Sequence, residues 1–182
     1  MNIYFSIPGE YLDKNAQRSL ALRLLDYALQ KEFGIARSDW RMIRKARGKP
    51  SFINSDKHFS YSHCRFGVAC AVAKQPLGVD IQEVLKPKPA TMRRVCHPNE
   101  LAILESMEPP SLNAPRFIEM WALKEAYAKY TGEGLAEGFN TIDTTAFPPG
   151  LAHRHENLYI AYYTATAALK SAKPQWVQVL PP

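Results

Sequence analysis

Apolar and polar positions along the chain follow two spacings, one typical of strands and one of helices. Residues 2–7 alternate and are rich in β-forming side chains, so they predict a short strand ended by Pro8-Gly9. A helix is predicted from a cap at Asp13 or Asn15 to Gly34, because apolar residues between them recur at helical spacing. These residues are Leu22, Leu25, Leu29 and Phe33.

Three more strands are predicted before residue 85, at residues 58–62, 67–73 and 79–84. The second of them is apolar on both faces, which is typical of a strand covered on both sides. Cys70 lies in that strand and is therefore a predicted core residue.

The remainder of the chain begins with Lys86-Pro87-Lys88-Pro89, which is predicted to form an extended linker. Beyond it, Pro98 and Pro115 suit the first positions of two helices, and residues 158–164 and 176–180 alternate like antiparallel strands. Because each side of the linker mixes helix with strand, we predict an α+β fold of two similar halves. The halves are residues 1–85 and residues 86–182.

Composition indicates a soluble globular protein, since 46% of the 182 residues are hydrophobic and 22% are charged. No apolar run approaches the roughly 20 residues that span a bilayer, and the N-terminal residues do not resemble a signal peptide. Three cysteines are too few and too scattered for a disulfide framework or a zinc knuckle. We therefore expect a cytoplasmic protein without membrane contact.

The net charge of +6 predicts an anionic partner, which could be nucleic acid, a phosphorylated cofactor or an acidic protein. Five basic residues between positions 41 and 49 have no acid among them, although such a run most often forms a solvated loop. A nucleic-acid-binding module is less favoured, because aromatic residues do not interleave with this run and no helix-turn-helix or finger pattern is present. The five residues are Arg41, Arg44, Lys45, Arg47 and Lys49.

A charged stripe lies on an otherwise apolar helix predicted over residues 121–130. Glu125 and Lys129 are four residues apart and share one face, and Lys124 lies about 100° around the helix from Glu125. A carboxylate between two ammonium groups suits a site that binds a metal ion and phosphates together. Alone, however, a Glu–Lys pair at this spacing is common on solvated helices and contributes only about 0.2–0.5 kcal/mol.

Three other segments could supply partners for this stripe. Asp80 lies between two apolar residues of a strand. Burying an acid there is unfavourable unless the acid is paired or bound to a cation. The alternative is that Asp80 lies at the end of the strand and faces solvent. Ser62 and His63 end another strand with a hydroxyl and an imidazole, although an isolated histidine is more often a hydrogen-bonded loop residue. Lys49 lies on a tight turn between Gly48 and Pro50.

Together these segments resemble, in the same order, the signature blocks of the 4′-phosphopantetheinyl transferases of the surfactin-synthetase-activating (Sfp) type. No single block is specific, but four in order across residues 48–129 are hard to obtain by chance. The segments are Gly48-Lys49-Pro50, Ser60-Tyr61-Ser62-His63, Gly78-Val79-Asp80-Ile81 and Trp121-Ala122-Leu123-Lys124-Glu125-Ala126-Tyr127-Ala128-Lys129.

The resemblance implies an enzyme that moves the phosphopantetheine arm of coenzyme A to a serine of an apo acyl or peptidyl carrier protein. It also implies Mg²⁺ dependence, with Mn²⁺ as a possible substitute, and two pseudo-symmetric halves with the active site between them. Carrier proteins are commonly acidic, so the positive charge of this chain would speed docking. Two halves in one chain make a monomer sufficient. A family member that binds coenzyme A without transferring its arm is the alternative.

The same resemblance assigns roles to individual residues. Asp80 and Glu125 would bind the metal, as Mg²⁺ typically takes one or two protein carboxylates, and Glu125 or a metal-bound water would take the proton of the attacking serine. Lys124 and Lys129 would lie beside the metal and hold phosphates, and catalysis would involve Asp80, Glu125 and Lys129. The residues expected to contact coenzyme A are Arg18, Lys49, Pro50, Ser62, His63, Lys124 and Lys129.

Gln82 marks a departure from the family pattern, because many members have a second acid at this position. Strand alternation places Gln82 on the face of Asp80 and turns Glu83 to the opposite face. We therefore predict two metal-binding carboxylates rather than three. Gln82 would be a weak neutral ligand or would hold a metal-bound water.

Overall fold

The computed structural model describes residues 1–43, 49–109, 112–132, 138–165 and 175–180. The described strands are β1 (Asn2–Ser6), β2 (Met42–Ile43), β3 (Ser51–Phe52), β4 (His58–Cys64), β5 (Gly67–Ala73), β6 (Leu77–Glu83), β7 (Ala152–His155), β8 (Leu158–Thr164) and β9 (Gln175–Gln178). The described helices are α1 (Lys14–Phe33), α2 (Pro89–Val95), α3 (Pro98–Ser106) and α4 (Asn113–Thr131). The predicted α+β class is confirmed.

Helix α1 has the bounds that the sequence predicts. The Asp13 carboxylate accepts hydrogen bonds from the backbone N–H groups of Asn15 and Ala16, which caps the first turn. Gly34 ends the helix in the left-handed conformation, with φ 67°. Its buried face is centred on Leu24, Leu25 and Leu29, whereas Leu22 and Phe33 are only partly buried.

Two sheets form the body of the protein. The first has the order β4-β5-β1-β9 and the second the order β6-β8-β7, while β2 and β3 form a separate short pair. Strand β5 is buried on both faces, as its sequence predicts: Val68, Cys70 and Val72 belong to the core beneath α1, and Ala69 and Ala71 belong to a second core. The prediction that Cys70 is a core residue is confirmed.

The second core lies on the other face of the first sheet. It contains Val79 and Ile81 of β6, Ile160 of β8, and Met120 and Ala126 of α4. Strand β6 therefore lies between α4 and the first sheet, and its residues face both. Among the described residues no helix is both long and apolar enough to cross a membrane.

Strand pairing crosses the predicted boundary at residue 85 in both directions. Strand β6 precedes the boundary but pairs with β8, in antiparallel register with Asp80 opposite Ala161. Strand β9 follows the boundary but pairs in parallel with β1, with Trp176 opposite Ile3. Neither sheet is confined to one side, so the division into two pseudo-symmetric halves stays a prediction.

Two elements after residue 85 differ from the pattern. The predicted linker is extended only up to Lys88, because Pro89 begins α2, a short helix that the spacing of apolar residues did not indicate. Helix α4 begins at Asn113 rather than Pro115. Pro115 still lies in the first turn, where the missing backbone N–H has no helical partner to lose.

Candidate active site

Asp80 is a buried carboxylate in the middle of β6, with 2% of its surface exposed. Its Oδ1 accepts hydrogen bonds from Ser62 Oγ at 2.7 Å and from Lys129 Nζ at 2.6 Å. Its Oδ2 accepts a third from Gln82 Nε2 at 2.8 Å. These partners offset the cost of burying a charge, and they gather three of the predicted site residues around one carboxylate.

Gly78 allows α4 to come close enough to β6 for this contact. A Cβ atom at this position would lie 1.8 Å from the backbone O of Ala126 and 2.7 Å from the backbone N of Tyr130. Because glycine has no Cβ, the helix rests directly on the strand backbone. Lys129 can then reach both the Val79 carbonyl O, at 3.0 Å, and the Asp80 carboxylate.

Glu125 lies one helical turn before Lys129 and is partly buried. Its burial, and then the negative charge of Asp80, raise the pKa of Glu125 to about 7, while Lys129 acts in the opposite direction. Two carboxylates that repel each other in a half-buried site suit a divalent cation, which prefers oxygen ligands. The donor set therefore fits Mg²⁺, with Asp80 and Glu125 as the residues that would hold it.

Gln82 and Glu83 face opposite sides of β6, as strand alternation predicts. Gln82 donates to Asp80. Glu83 points the other way, where its carboxylate accepts from Arg65 Nη2 at 2.6 Å and Nε at 3.1 Å. Within the described residues no group of three or more histidine, cysteine, aspartate or glutamate side chains could hold a metal. A contact of Gln82 with the metal stays a prediction.

Positive groups gather beside the two carboxylates. Lys49 Nζ donates to the Leu77 carbonyl O, and its burial together with the positive charge of Lys129 lowers its pKa to about 8. Burial also lowers the pKa of His63, and the positive charges of Lys129 and Arg18 lower it further. Groups that repel each other in this way would be stabilised by a bound anion.

The remaining predicted contacts lie around this positive region. Ser62 is buried and donates to Asp80, and His63 Nδ1 lies 2.8 Å from Gln17 Oε1. Arg18 is exposed on α1, and Pro50 joins Lys49 to β3. Three of the five basic residues of the 41–49 run, Arg44, Lys45 and Arg47, lie outside the described residues, as does Gly48.

Lys124 does not lie at this site, and the prediction that it lies beside the metal is wrong. Its side chain is 1% exposed and its Nζ lies 2.6 Å from Glu100 Oε2, which is itself fully buried. The same ammonium donates to three backbone carbonyls, at 2.6–2.9 Å. The reason is that α4 is buried on more than one face, so a residue about 100° from Glu125 points into the core. The carbonyls are those of Val95, Phe139 and Ile142.

Comparison with known proteins places the chain in a family. Residues 76–170, about half of the chain, match the family described as the 4′-phosphopantetheinyl transferase superfamily. The chain belongs to this superfamily. The family and the transferase class predicted from the four sequence segments are thereby confirmed.

Relatives with curated names carry the same description. The 4′-phosphopantetheinyl transferase gsp of Aneurinibacillus migulanus is 33% identical over 71% of this chain and 54% of its own length. The transferase psf-1 of Bacillus pumilus is 30% identical over 85% of this chain and 69% of its own length. The transferase Sfp of Bacillus subtilis (strain 168) is 27% identical over 89% and 75%. The chain thus spans about half the length of gsp and about three quarters of the length of Sfp.

Three buried polar residues, two beside the site and one in the core, were given no role from the sequence. Ser60 Oγ accepts from the Val79 backbone N–H at 2.9 Å and so joins β4 to β6. Strand alternation, which puts Ser60 and Ser62 on one face, could have indicated this role. Gln17, which contacts His63, and Glu100, which pairs with Lys124, are buried polar residues of helices. No local spacing links either of them to its partner.

Proposed function

We propose that this chain transfers the phosphopantetheine arm of coenzyme A to a serine of an apo acyl or peptidyl carrier protein, with Mg²⁺ as the metal. The observation that carries the proposal is the buried Asp80 carboxylate, which contacts the Lys129 ammonium at 2.6 Å and lies near enough to Glu125 for its charge to raise the pKa of Glu125. An acidic carrier would suit the net charge of +6. Action as a cytoplasmic monomer built from two similar halves belongs to the same proposal.

In this reaction the serine oxygen attacks the phosphorus that carries the pantetheine arm. The bond of that phosphorus to the bridging oxygen breaks, and adenosine 3′,5′-bisphosphate leaves. Mg²⁺ held by Asp80 and Glu125 would offset the negative charge of the diphosphate. Catalysis of such a transfer consists mostly of positioning and electrostatic stabilisation, so the residues around the diphosphate decide the rate.

Each site residue has a proposed role in this transfer. Lys129, Lys49, His63 and Arg18 would hold the phosphates, and Ser62 would keep Asp80 oriented through its hydrogen bond of 2.7 Å. Glu125 is our proposed acceptor of the serine proton.

The direct test is a transfer assay with several apo carrier proteins. The protein is incubated with coenzyme A and Mg²⁺, and each carrier is examined by mass spectrometry for one added phosphopantetheine group. Carriers whose acceptor serine is replaced by alanine are the control and should gain nothing. If no carrier gains mass and Glu125→Gln binds coenzyme A and metal as the wild type does, the proposal is wrong.

Gln82 gives a prediction within this assay. Because two carboxylates would hold the metal and Gln82 only hydrogen-bonds to one of them, Gln82→Ala should retain measurable transfer. Asp80→Ala should lose about 10²-fold or more, since a charge near the transferred group has been removed. Equal losses in the two variants would mean that Gln82 is as necessary to the metal site as Asp80.

Lys49 gives a prediction for the pH dependence of coenzyme A binding. The Lys49 ammonium has a pKa of about 8 in the free protein, and a bound phosphate raises it. Binding should therefore take up a proton above pH 8, and affinity should fall there by at most about tenfold per pH unit. Titration calorimetry in two buffers of different ionisation enthalpy measures both effects. Lys49→Met should show neither, and an affinity of the wild type that is constant from pH 7 to 9 would contradict this assignment.

A further inference from the structure

The charge of Asp80 is already satisfied by the protein itself. Its Oδ1 accepts from both Ser62 and Lys129, its Oδ2 accepts from Gln82, and 2% of the residue is exposed. Among the described residues that contact Asp80, the charged one is Lys129, whose ammonium lies at 2.6 Å. A divalent cation that used Oδ1 would share one carboxylate oxygen with this ammonium, and the two positive charges would repel each other.

Of the two groups that donate to Asp80 Oδ1, Lys129 can move more readily than Ser62. Its side chain is 27% exposed, whereas Ser62 is 8% exposed and lies within a paired strand. Besides Asp80, the Lys129 ammonium contacts the Val79 carbonyl O at 3.0 Å. Moving the ammonium away from Asp80 therefore also breaks this one hydrogen bond. The ammonium of Lys49 lies near enough that the charge of Lys129, after burial, lowers the pKa of Lys49, so the two ammonium groups repel each other.

We propose that Lys129 is an internal counter-ion of Asp80 that is exchanged for the divalent cation when the diphosphate of coenzyme A binds. This inference rests on the proposed function. The diphosphate attracts the ammonium away from Asp80, and the freed carboxylate then binds the cation. Metal alone therefore binds weakly, and metal and coenzyme A each increase the affinity of the other. The exchange thus prevents a metal ion from binding tightly to the site before coenzyme A is bound.

The test measures Mn²⁺ binding to the free protein, without coenzyme A, by electron paramagnetic resonance of the unbound ion. Lys129→Met keeps the aliphatic length and removes the ammonium, so it should bind Mn²⁺ about tenfold more tightly than the wild type. Lys49→Met is the matched control. It removes the same charge from the same region, but its ammonium donates to the Leu77 carbonyl rather than to Asp80, so its gain should stay below about threefold.

Adding coenzyme A supplies the second readout. The affinity of the wild type for Mn²⁺ should rise strongly, and the rise should be smaller in Lys129→Met, because that variant no longer has a counter-ion to displace. Thermal unfolding verifies that the variants are folded, and Lys129→Gln serves if the methionine variant is not. If Lys129→Met binds Mn²⁺ no more tightly than Lys49→Met, the exchange is refuted.

The outcome separates this inference from the proposed function. A wild type that modifies a carrier protein, together with variants of equal Mn²⁺ affinity, refutes the exchange alone. A wild type that binds no Mn²⁺ even with coenzyme A, and modifies no carrier, refutes both.

Discussion

Gly78→Ala is expected to abolish transfer and to lower the free energy of unfolding by about 3 kcal/mol, near the upper end for overpacked sites. The new Cβ would lie 1.8 Å from the Ala126 backbone O and within 2.9 Å of two more backbone atoms of α4. Backbone cannot rotate away as a side chain can, so α4 must move off β6. That movement separates Lys129 from Val79 and Asp80 and changes the spacing of the two carboxylates.

Denaturant unfolding and the carrier assay measure the two parts of this effect. Gly67→Ala in β5 is the matched control, since its Cβ would meet neighbours only at 3.1–3.2 Å and two of them are isoleucine side-chain atoms that can shift. It should lose far less stability and keep activity. Equal behaviour of the two variants would show that the contact between α4 and β6 tolerates a methyl group.

Lys124→Met should be the most destabilising of the charge-removing substitutions, at about 3–5 kcal/mol. It leaves Glu100, which is fully buried, without its positive partner, and the carbonyls of Phe139 and Ile142 each lose the hydrogen bond from this ammonium. Those carbonyls belong to the segment after α4, which the lysine holds against α2 and α3. The loss is read from denaturant unfolding.

A double-mutant cycle separates the pair from the individual residues. In Lys124→Met/Glu100→Gln no unpaired charge is buried, so the double variant should be more stable than Lys124→Met. If Lys124→Met unfolds like the wild type but no longer binds coenzyme A, Lys124 is a phosphate-binding residue after all and its assignment to the core is wrong. Partial loss of coenzyme A binding in proportion to lost stability is the expected pattern.

The site could be predicted where local periodicity decides which way a side chain points. The two-residue period of β6 separates Gln82 from Glu83, and the spacing of four in α4 aligns Glu125 with Lys129. Such periods do not determine which strands pair with each other. The alternation of β6 suits either sheet equally well, and only tertiary packing places it beside β8.

Lys124 shows the other limit of sequence patterns. A lysine next to a functional glutamate looks like part of the site, because lysine is almost never fully buried without a partner. Its partner Glu100 lies on α3, and three backbone carbonyls complete its surroundings. None of these contacts has a fixed spacing from Lys124, so the pattern could not distinguish a core lysine from a phosphate ligand.

The contact of Gly78 with α4 also determines how the two affinities of the site can vary. Asp80, Glu125 and Lys129 all belong to the unit formed by β6 and α4, whereas His63, Arg18 and Lys49 come from β4, α1 and the turn before β3. Hydroxyl groups of β4, rather than a ladder of main-chain bonds, join the two groups at Ser60 and Ser62. Substitutions at His63, Arg18 or Lys49 therefore change nucleotide contacts without moving the metal-binding carboxylates, whereas a substitution at Lys129, which contacts Asp80, changes both affinities together.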